Sequence, residues 1–184
     1  LYNLGWSHPS RIPTWLRTDG TKFLMRQWFF YGGERSVHGP AFASDDAGTL
    51  LWAWVHNDDN STIRLVRSTN RGMSWHWVGV PAGSRAHGTP GLAWTRVGGQ
   101  STWILVWSHF DRTDQANTGY VRASISTNDG ASWSAPNTLN TFYKALSGVS
   151  VAADTSNHVM VGLAWAPTST PWLYGLNTIR SLQC

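Results

Sequence analysis

Seven His and 13 Trp among 184 residues are the side chains of this sequence that first suggest a chemical function. Imidazole nitrogens bind metal ions or move protons, and indole rings stack on the faces of sugars. His38 and His87 each precede a Gly, whereas His56 and His109 each follow a Trp by two positions. A metal site needs converging ligands, and the sequence has no His-x₃-His pattern and no pair of Cys. We therefore predict repeated structural positions for these His, with no metal and no cofactor.

The Trp content indicates a sugar-binding surface instead. Most of the 13 rings are expected to fill the core, since large rings pack well between sheets. Four of them flank turns and strand ends in the pattern and are the candidates for exposure to a ligand: Trp15, Trp28, Trp94 and Trp172.

Other function classes find no support in the sequence. The chain has no Gly-x-Ser-x-Gly elbow, no phosphate-binding Gly loop and no His-Glu-x-x-His motif. The net charge of +4 comes from scattered Arg without a basic run, so we predict no nucleic-acid partner. No apolar stretch approaches the roughly 20 residues of a membrane span. Cys184 is the single Cys, and the absence of Met at Leu1 suggests a mature or excised piece.

The elements that would position these side chains are repeated along the chain. Ser68–Trp75 and Ser126–Trp133 share six of eight residues and lie 58 positions apart. Each octamer follows a Gly opening, an apolar run, a turn, and a second apolar run that ends in Trp. The openings at Gly39, Gly88 and Gly148 are 49 and 60 residues apart, a period typical of propellers and solenoids.

Within each repeat the pattern is that of strands. Ile63–Ser68 and Val121–Ser126 alternate with a period of two, and the preceding apolar runs fit strands buried on both faces. The sequence therefore predicts an all-β propeller with about three blades of four antiparallel strands. The predicted units are a partial unit 1–37, a blade 38–84, a blade 85–144 and an incomplete blade 145–184.

Such an arc would be a partial ring, because propellers typically close with four to eight blades. We expect a second copy or a further chain to complete it, since raw sheet edges are an aggregation hazard.

The octamers are predicted to form the hairpin between the third and fourth strands of a unit. Their Asn-Arg-Gly and Asn-Asp-Gly centres tolerate a positive φ, and the Ser and Asn side chains can bond to turn amides. Trp75 and Trp133 would then begin the outer strand and bury their rings.

The octamers resemble the Asp box, Ser-x-Asp-x-Gly-x-x-Trp, of the BNR repeats in sialidases and other β-propellers. The matching residues are Ser68, Asn70, Gly72 and Trp75 in one box, and Ser126, Asn128, Gly130 and Trp133 in the other. Asn replaces Asp in both, which keeps the oxygen and removes the charge. In the family these boxes are structural and lie at the periphery, away from the ligand.

A second resemblance concerns the stretch that begins at Arg11-Ile12-Pro13, which is similar to the entry segment of sialidases. There the Arg is one of three that grip the substrate carboxylate, so the resemblance implies that Arg11 binds an acidic sugar. The rest of that machinery does not appear: Asp45 and Asp46 fit a turn, and Tyr31 and Glu34 do not match the catalytic Tyr–Glu pair. We assign no catalytic residue.

Three functions remain open. The chain is a secreted glycan-binding propeller module, the N-terminal half of a sialidase-like exo-glycoside hydrolase, or a protein-interaction propeller attached to a larger secreted protein such as a peptidase. Two further Arg and a Tyr–Glu pair beside Arg11 would favour the hydrolase, and exposed Trp rings around a shallow pocket would favour the binding module.

Overall fold

The fold consists of short antiparallel strands joined by tight turns. A computed structural model describes residues 2–7, 12–18, 23–27, 38–57, 61–114, 116, 118–139, 143–154, 158–167 and 175–180, which contain strands and no helix. The strands are β1 (Tyr2–Ser7), β2 (Ile12–Thr18), β3 (Phe23–Gln27), β4 (Ala41–Ser44), β5 (Leu50–Val55), β6 (Ile63–Ser68), β7 (His76–Trp77), β8 (Gly91–Val97), β9 (Gln100–Ser108), β10 (Val121–Ser126), β11 (Asn137–Thr138), β12 (Tyr143–Ala153), β13 (Val159–Pro167) and β14 (Gly175–Arg180).

These strands form four sheets in chain order. Sheet A contains β1–β3, sheet B contains β4–β7, sheet C contains β8–β11 and sheet D contains β12–β14. Every pairing is antiparallel between strands that follow one another. β4 contacts β8 and β8 contacts β12, so the first strands of sheets B, C and D lie side by side. The all-β prediction is confirmed, and sheets A and D each have three described strands.

The central strands are apolar because they are covered on both faces. All six residues of β5 are buried, and β9 is buried from Thr102 to its end. One face of sheet B packs against sheet C in a shared core that includes Leu51, Val55, Trp103 and Trp107. The other face of sheet C packs against sheet D in a second core. Face-to-face packing of successive sheets is how blades of a propeller bury their strands.

The two octamers form hairpins with the same hydrogen bonds. Ser68 Oγ accepts the Gly72 N–H at 2.8 Å and donates to Asn70 Oδ1 at 2.9 Å. Ser126 makes the same pair of bonds with Gly130 and Asn128, both at 2.9 Å. In both hairpins the buried Ser hydroxyl satisfies an amide at the centre of the turn.

The backbone of each hairpin turns through two residues with positive φ. The angles are +58° at Arg71 and +81° at Gly72, and +58° at Asp129 and +77° at Gly130. The next amide donates back to the Asn carbonyl, as Met73 N–H does to Asn70 O at 3.3 Å. Two consecutive positive φ values are the requirement of a type I′ turn, whose twist matches that of the flanking strands.

The hairpin tryptophans pack into the faces of the sheets. Trp75 is buried with its ring edge-on to Trp52, at 6.0 Å between centroids. It directly precedes β7, which begins at His76. Trp133 does not begin β11, because Ser134 takes the next place along β10: its N–H donates to Ile125 O at 2.8 Å, and its Oγ accepts the Ile125 N–H at 3.1 Å.

Candidate functional site

The sheets have two distinct ends. One end carries the hairpins of the octamers, together with the β4–β5 and β8–β9 turns; we call it the box end. The opposite end carries residues 56–57, 61–62, 84–90, 109–114, 116 and 118–120 and the starts of the first strands. We call it the loop end. Four His lie on it, which are His38, His56, His87 and His109.

At the loop end the first strands begin in close backbone contact. A Cβ on Gly148 would lie 2.7 Å from the Thr89 nitrogen and 2.8 Å from its oxygen, so only Gly fits there. The Val149 N–H donates to Thr89 O at 2.9 Å. A Cβ on Gly39 would lie 3.5 Å from Thr89 Oγ1, which is an ordinary contact distance. Of the Gly openings in the sequence, the one at Gly148 is therefore a close approach between blades that leaves no room for a side chain.

The segment from Ser84 to Pro90, which we call the link, joins sheets B and C. On one side Ala86 N–H donates to Ser61 O at 3.0 Å. On the other side Phe110 N–H donates to Arg85 O at 3.0 Å. These bonds fix the link between the two sheets and bring Arg85 beside the loop 109–120.

The same junction recurs at the next blade. Ala145 N–H donates to Gly119 O at 2.7 Å, as Ala86 does to Ser61. The two accepting residues stand at equivalent positions, two before β6 and β10, and both have positive φ, +51° and +90°. The repeat therefore extends to the backbone of the loop end.

Arg85 and Asp111 form an ion pair at this end, with Arg85 Nη1 3.6 Å from Asp111 Oδ1. Both side chains remain partly exposed, at 34% and 24%. Asp111 Oδ1 also accepts the Thr113 N–H at 2.8 Å and the Thr113 hydroxyl at 2.6 Å. These bonds, first of all the one from the Thr113 hydroxyl, lower the pKa of the Asp111 carboxyl, which is therefore charged at neutral pH.

An aromatic pair lies next to this ion pair in sequence. The ring of His87 stacks on Phe110 at 5.7 Å between centroids, with an interplanar angle of 23°. His87 is exposed and Phe110 is half-buried. Partial burial and the nearby His87 together lower the pKa of His38, which places His38 close to the same pair. A flat ring pair beside charged donors and acceptors is a surface that can hold a sugar ring.

His109 is the buried His of the loop end, with 4% of its surface exposed. Burial is the largest cause that lowers its pKa, and the charge of Arg122 is the second, whereas Asp111 acts in the opposite direction. The imidazole is therefore neutral at pH 7. Its backbone N–H donates to Tyr120 O and its carbonyl accepts the Gly119 N–H, at 2.8 and 2.6 Å. His109 thus holds the base of the loop.

The structure places the predicted ligand residues at separate locations. Trp94 lies within β8 and not at a strand end; it is half-buried and donates from Nε1 to Ser101 Oγ at 2.9 Å. Trp15 lies in β2, opposite Leu4 and Arg26. Arg11, Trp28 and Trp172 lie outside the described residues. Their roles in ligand binding remain predictions.

Sequence reasoning missed two features. One is the stacked pair of His87 and Phe110, because the two residues are distant in sequence and meet only through the link. The other is Trp77, which is 51% exposed on β7 although its ring packs against Trp54 at 5.5 Å. Two-residue outer strands cover only part of a blade, which leaves the Trp77 ring at the surface.

Neither a metal cluster nor a membrane-crossing helix occurs in the part of the chain that the structure describes. Within those ranges no three His, Cys, Asp or Glu side chains converge as metal ligands would. The same residues contain no helix long and apolar enough to cross a membrane.

Comparison with known proteins gives one curated relative and a set of similar folds, and no protein-family model matches. A sialidase of Bacteroides fragilis (strain YCH46) is 28% identical over 128 residues, which covers 53% of this chain and 23% of that sialidase. The intramolecular trans-sialidase of Ruminococcus gnavus superposes with a TM-score of 0.66 at 14% identity, over 98% of this chain and 40% of its own. The Aleuria aurantia lectin superposes with a TM-score of 0.61 at 13% identity, over 99% and 52%.

The chain thus spans less than two thirds of each of these proteins, and at these identities the superpositions establish the fold alone. Together with the repeated sheets and hairpins, they lead to one conclusion. The chain has a sialidase-like β-propeller fold.

Proposed function

We propose that this chain is a secreted carbohydrate-binding propeller module whose ligand contacts the loop end. The observation that supports it best is the stacked pair of His87 and Phe110 beside the ion pair of Arg85 and Asp111. Sugar rings present an apolar face and several hydroxyl groups, and the two pairs offer an aromatic face with fixed donors and acceptors. The similar Aleuria aurantia lectin was solved with Fucα1-6GlcNAc bound, which supports a sugar ligand for this kind of fold.

The test is binding of the purified chain to a glycan array, followed by calorimetry with the glycans that it retains. His87→Ala and Phe110→Ala each remove one ring of the pair, and we expect each to lower affinity by up to about tenfold. His76→Ala is the matched control, because His76 is also an exposed His but lies on β7. Equal effects of His87→Ala and His76→Ala, or no retained glycan, would contradict the proposal.

A second candidate is a sialidase-like exo-glycoside hydrolase of which this chain is a part. The identity with the Bacteroides fragilis sialidase favours it, as does the Arg-Ile-Pro stretch that begins at Arg11. A planar guanidinium binds a carboxylate with two bonds, which Lys does not reproduce. Turnover of a fluorogenic sialoside by the complete protein, abolished by Arg11→Lys, would establish this candidate. Glycan binding by the complete protein without turnover would reject it.

We infer that a second copy of the chain supplies further blades to the ring. Sheet D exposes Met160 on the face turned away from sheet C, which a further blade would cover. Sedimentation should give twice the mass of the chain. A monomer at all concentrations would exclude a second copy.

A further inference from the structure

Two arginines at the loop end occupy equivalent positions in neighbouring blades. Arg64 is the second residue of β6 and pairs across the sheet with Trp54. Arg122 is the second residue of β10 and pairs in the same way with Trp107. The burial pattern of the two strands is identical along all six residues, with both Arg half-buried.

Neither arginine has a counter-charge within the described ranges of the chain. Arg64 and Arg122 make no hydrogen bond and no ion pair there, and the Nε of Arg64 is enclosed without a partner. A guanidinium offers five donors, and enclosing the Arg64 Nε without an acceptor is costly, whereas the guanidinium nitrogens of Arg122 stay open to solvent. A carboxylate or sulfate group of a ligand would supply the charged acceptor that both guanidinium groups lack within the described ranges.

Other arginines form ion pairs with acidic side chains. Arg85 pairs with Asp111, and Arg96 makes two bonds of 3.0 Å to the carboxylate of Asp46. Acidic side chains therefore pair with Arg85 and Arg96, whereas among the described residues none pairs with Arg64 or Arg122.

Beside Arg122 lies an imidazole that adds no charge. Burial and Arg122 itself lower the pKa of His109, so this neighbour is neutral at pH 7 and offers no negative group. Among the groups that shift the pKa of His109, the acidic one is Asp111, which already accepts from Thr113 and pairs with Arg85. An anion that reaches Arg122 from solution would therefore meet a neutral imidazole at His109 and not a negative charge.

We propose that Arg64 and Arg122 are anion subsites for one acidic polysaccharide, which places a carboxylate or sulfate group at each of two neighbouring blades. This inference rests on the proposed carbohydrate-binding function. A monosaccharide carries one such group and would engage one subsite, whereas a chain with acidic groups at intervals matches cations that recur with the blades. Linking two weak contacts in one ligand raises the overall affinity well above either alone.

Calorimetry with an oligomer series tests this. The probes are galacturonate, its oligomers of increasing length, heparin oligosaccharides of matched length, and dextran oligomers as neutral ligands. We expect affinity to rise with the length of an acidic oligomer and to fall about tenfold or more for each of Arg64→Gln and Arg122→Gln. Preference for galacturonate or for heparin oligomers identifies the anionic group as carboxylate or sulfate.

The matched control is Arg71→Gln, which removes the same charge from an exposed residue at the box end. It should leave the affinity unchanged. Arg122→Lys keeps the charge without the planar fork and should have an intermediate affinity. Because an unpaired charge is removed, the melting temperature of Arg122→Gln should be no lower than that of the wild type, whereas a purely structural arginine would lower it.

Two results would overturn the inference without contradicting the proposed function. In the first, neutral glycans bind tightly and Arg64→Gln and Arg122→Gln do not change their affinity. In the second, acidic oligomers bind no more tightly than the monomer. Equal affinity for a DNA duplex of similar charge would also overturn it, since it would reveal attraction by net charge only. Failure to bind any glycan would instead reject the proposed function itself.

Discussion

Asn70 and Asn128 make a set of bonds that explains why both boxes have Asn at this position. Asn70 Oδ1 accepts the Ser74 N–H at 2.9 Å, and its Nδ2 donates to Ser74 Oγ at 2.8 Å. Asn128 and Ser132 repeat both bonds at the same distances. The Asn amide offers one acceptor for the Ser N–H and one donor for the Ser Oγ, and it brings no charge into the turn.

His109 makes the stability of the protein depend on pH. Its pKa is lowered in the folded state, so the unfolded chain, with a His pKa of about 6.5, binds the proton more readily. The stability that His109 contributes is therefore fully present above about pH 6.5 and is lost as the pH falls below that value. His38 acts in the same direction. We expect the melting temperature to fall between about pH 7.5 and 5.5, and to fall less in His109→Gln.

The matched variant for this prediction is His76→Gln, at an exposed position of β7. It should retain the pH dependence of the wild type. An identical slope in His109→Gln and in the wild type would show that this imidazole does not titrate with unfolding.

At the scale of elements, the hairpin of a box also connects two blades. A Cβ on Gly130 would lie 2.7 Å from both Cδ atoms of Leu51, which belongs to β5 in the preceding sheet. Arg67 of the same sheet donates to Asp129 O at 3.4 Å. The hairpin of sheet C thus packs on sheet B and helps to hold the two sheets together.

Gly130→Ala tests this contact. The substitution adds a methyl group at a φ of +77° and against Leu51, whereas Gly98→Ala adds one at a φ of +57° with no atom within 4 Å. Positive φ costs a non-Gly residue about 1–2 kcal/mol, and overpacking costs about 1–3 kcal/mol more. In urea unfolding we expect Gly130→Ala to lower the free energy of unfolding by about 1–3 kcal/mol more than Gly98→Ala does, which is the cost of overpacking.

Shortening the Leu51 side chain tests the same contact from the other side. In a Leu51→Ala background the cost of Gly130→Ala should fall to that of Gly98→Ala, since the clash is removed. Equal costs of the two glycine substitutions in the wild-type background would mean that the hairpin does not press on the preceding blade.

At the scale of the whole molecule, the sequence predicts what is local and repeated. The hairpins at Arg71 and Asp129 follow from Asn, Gly and Ser at fixed positions, because a turn of that kind requires those residue types. The strand period and the buried runs of β5 and β9 follow from apolar spacing in the same way.

Features that depend on contacts between repeats could not be predicted. The stack of His87 on Phe110 requires the link to lie between two sheets, and no local pattern encodes that path. Nothing in their spacing distinguishes Arg64 and Arg122 from solvated surface arginines, since partial burial without a counter-charge is a property of the packed blades. Trp94 was expected at a strand end and lies inside β8, because the turn follows only at Gly98.

Mapping of the bound glycan by backbone amide chemical shifts tests most directly whether the loop end is the ligand surface. The probe is the glycan that the array retains most tightly, titrated into the isotopically labelled chain. We predict that the shifts concentrate at residues 61–64, 85–89, 109–114 and 119–122 and leave the hairpins at 70–74 and 128–132 unchanged. Shifts centred on the hairpins or on the strand of Trp77 would contradict this assignment.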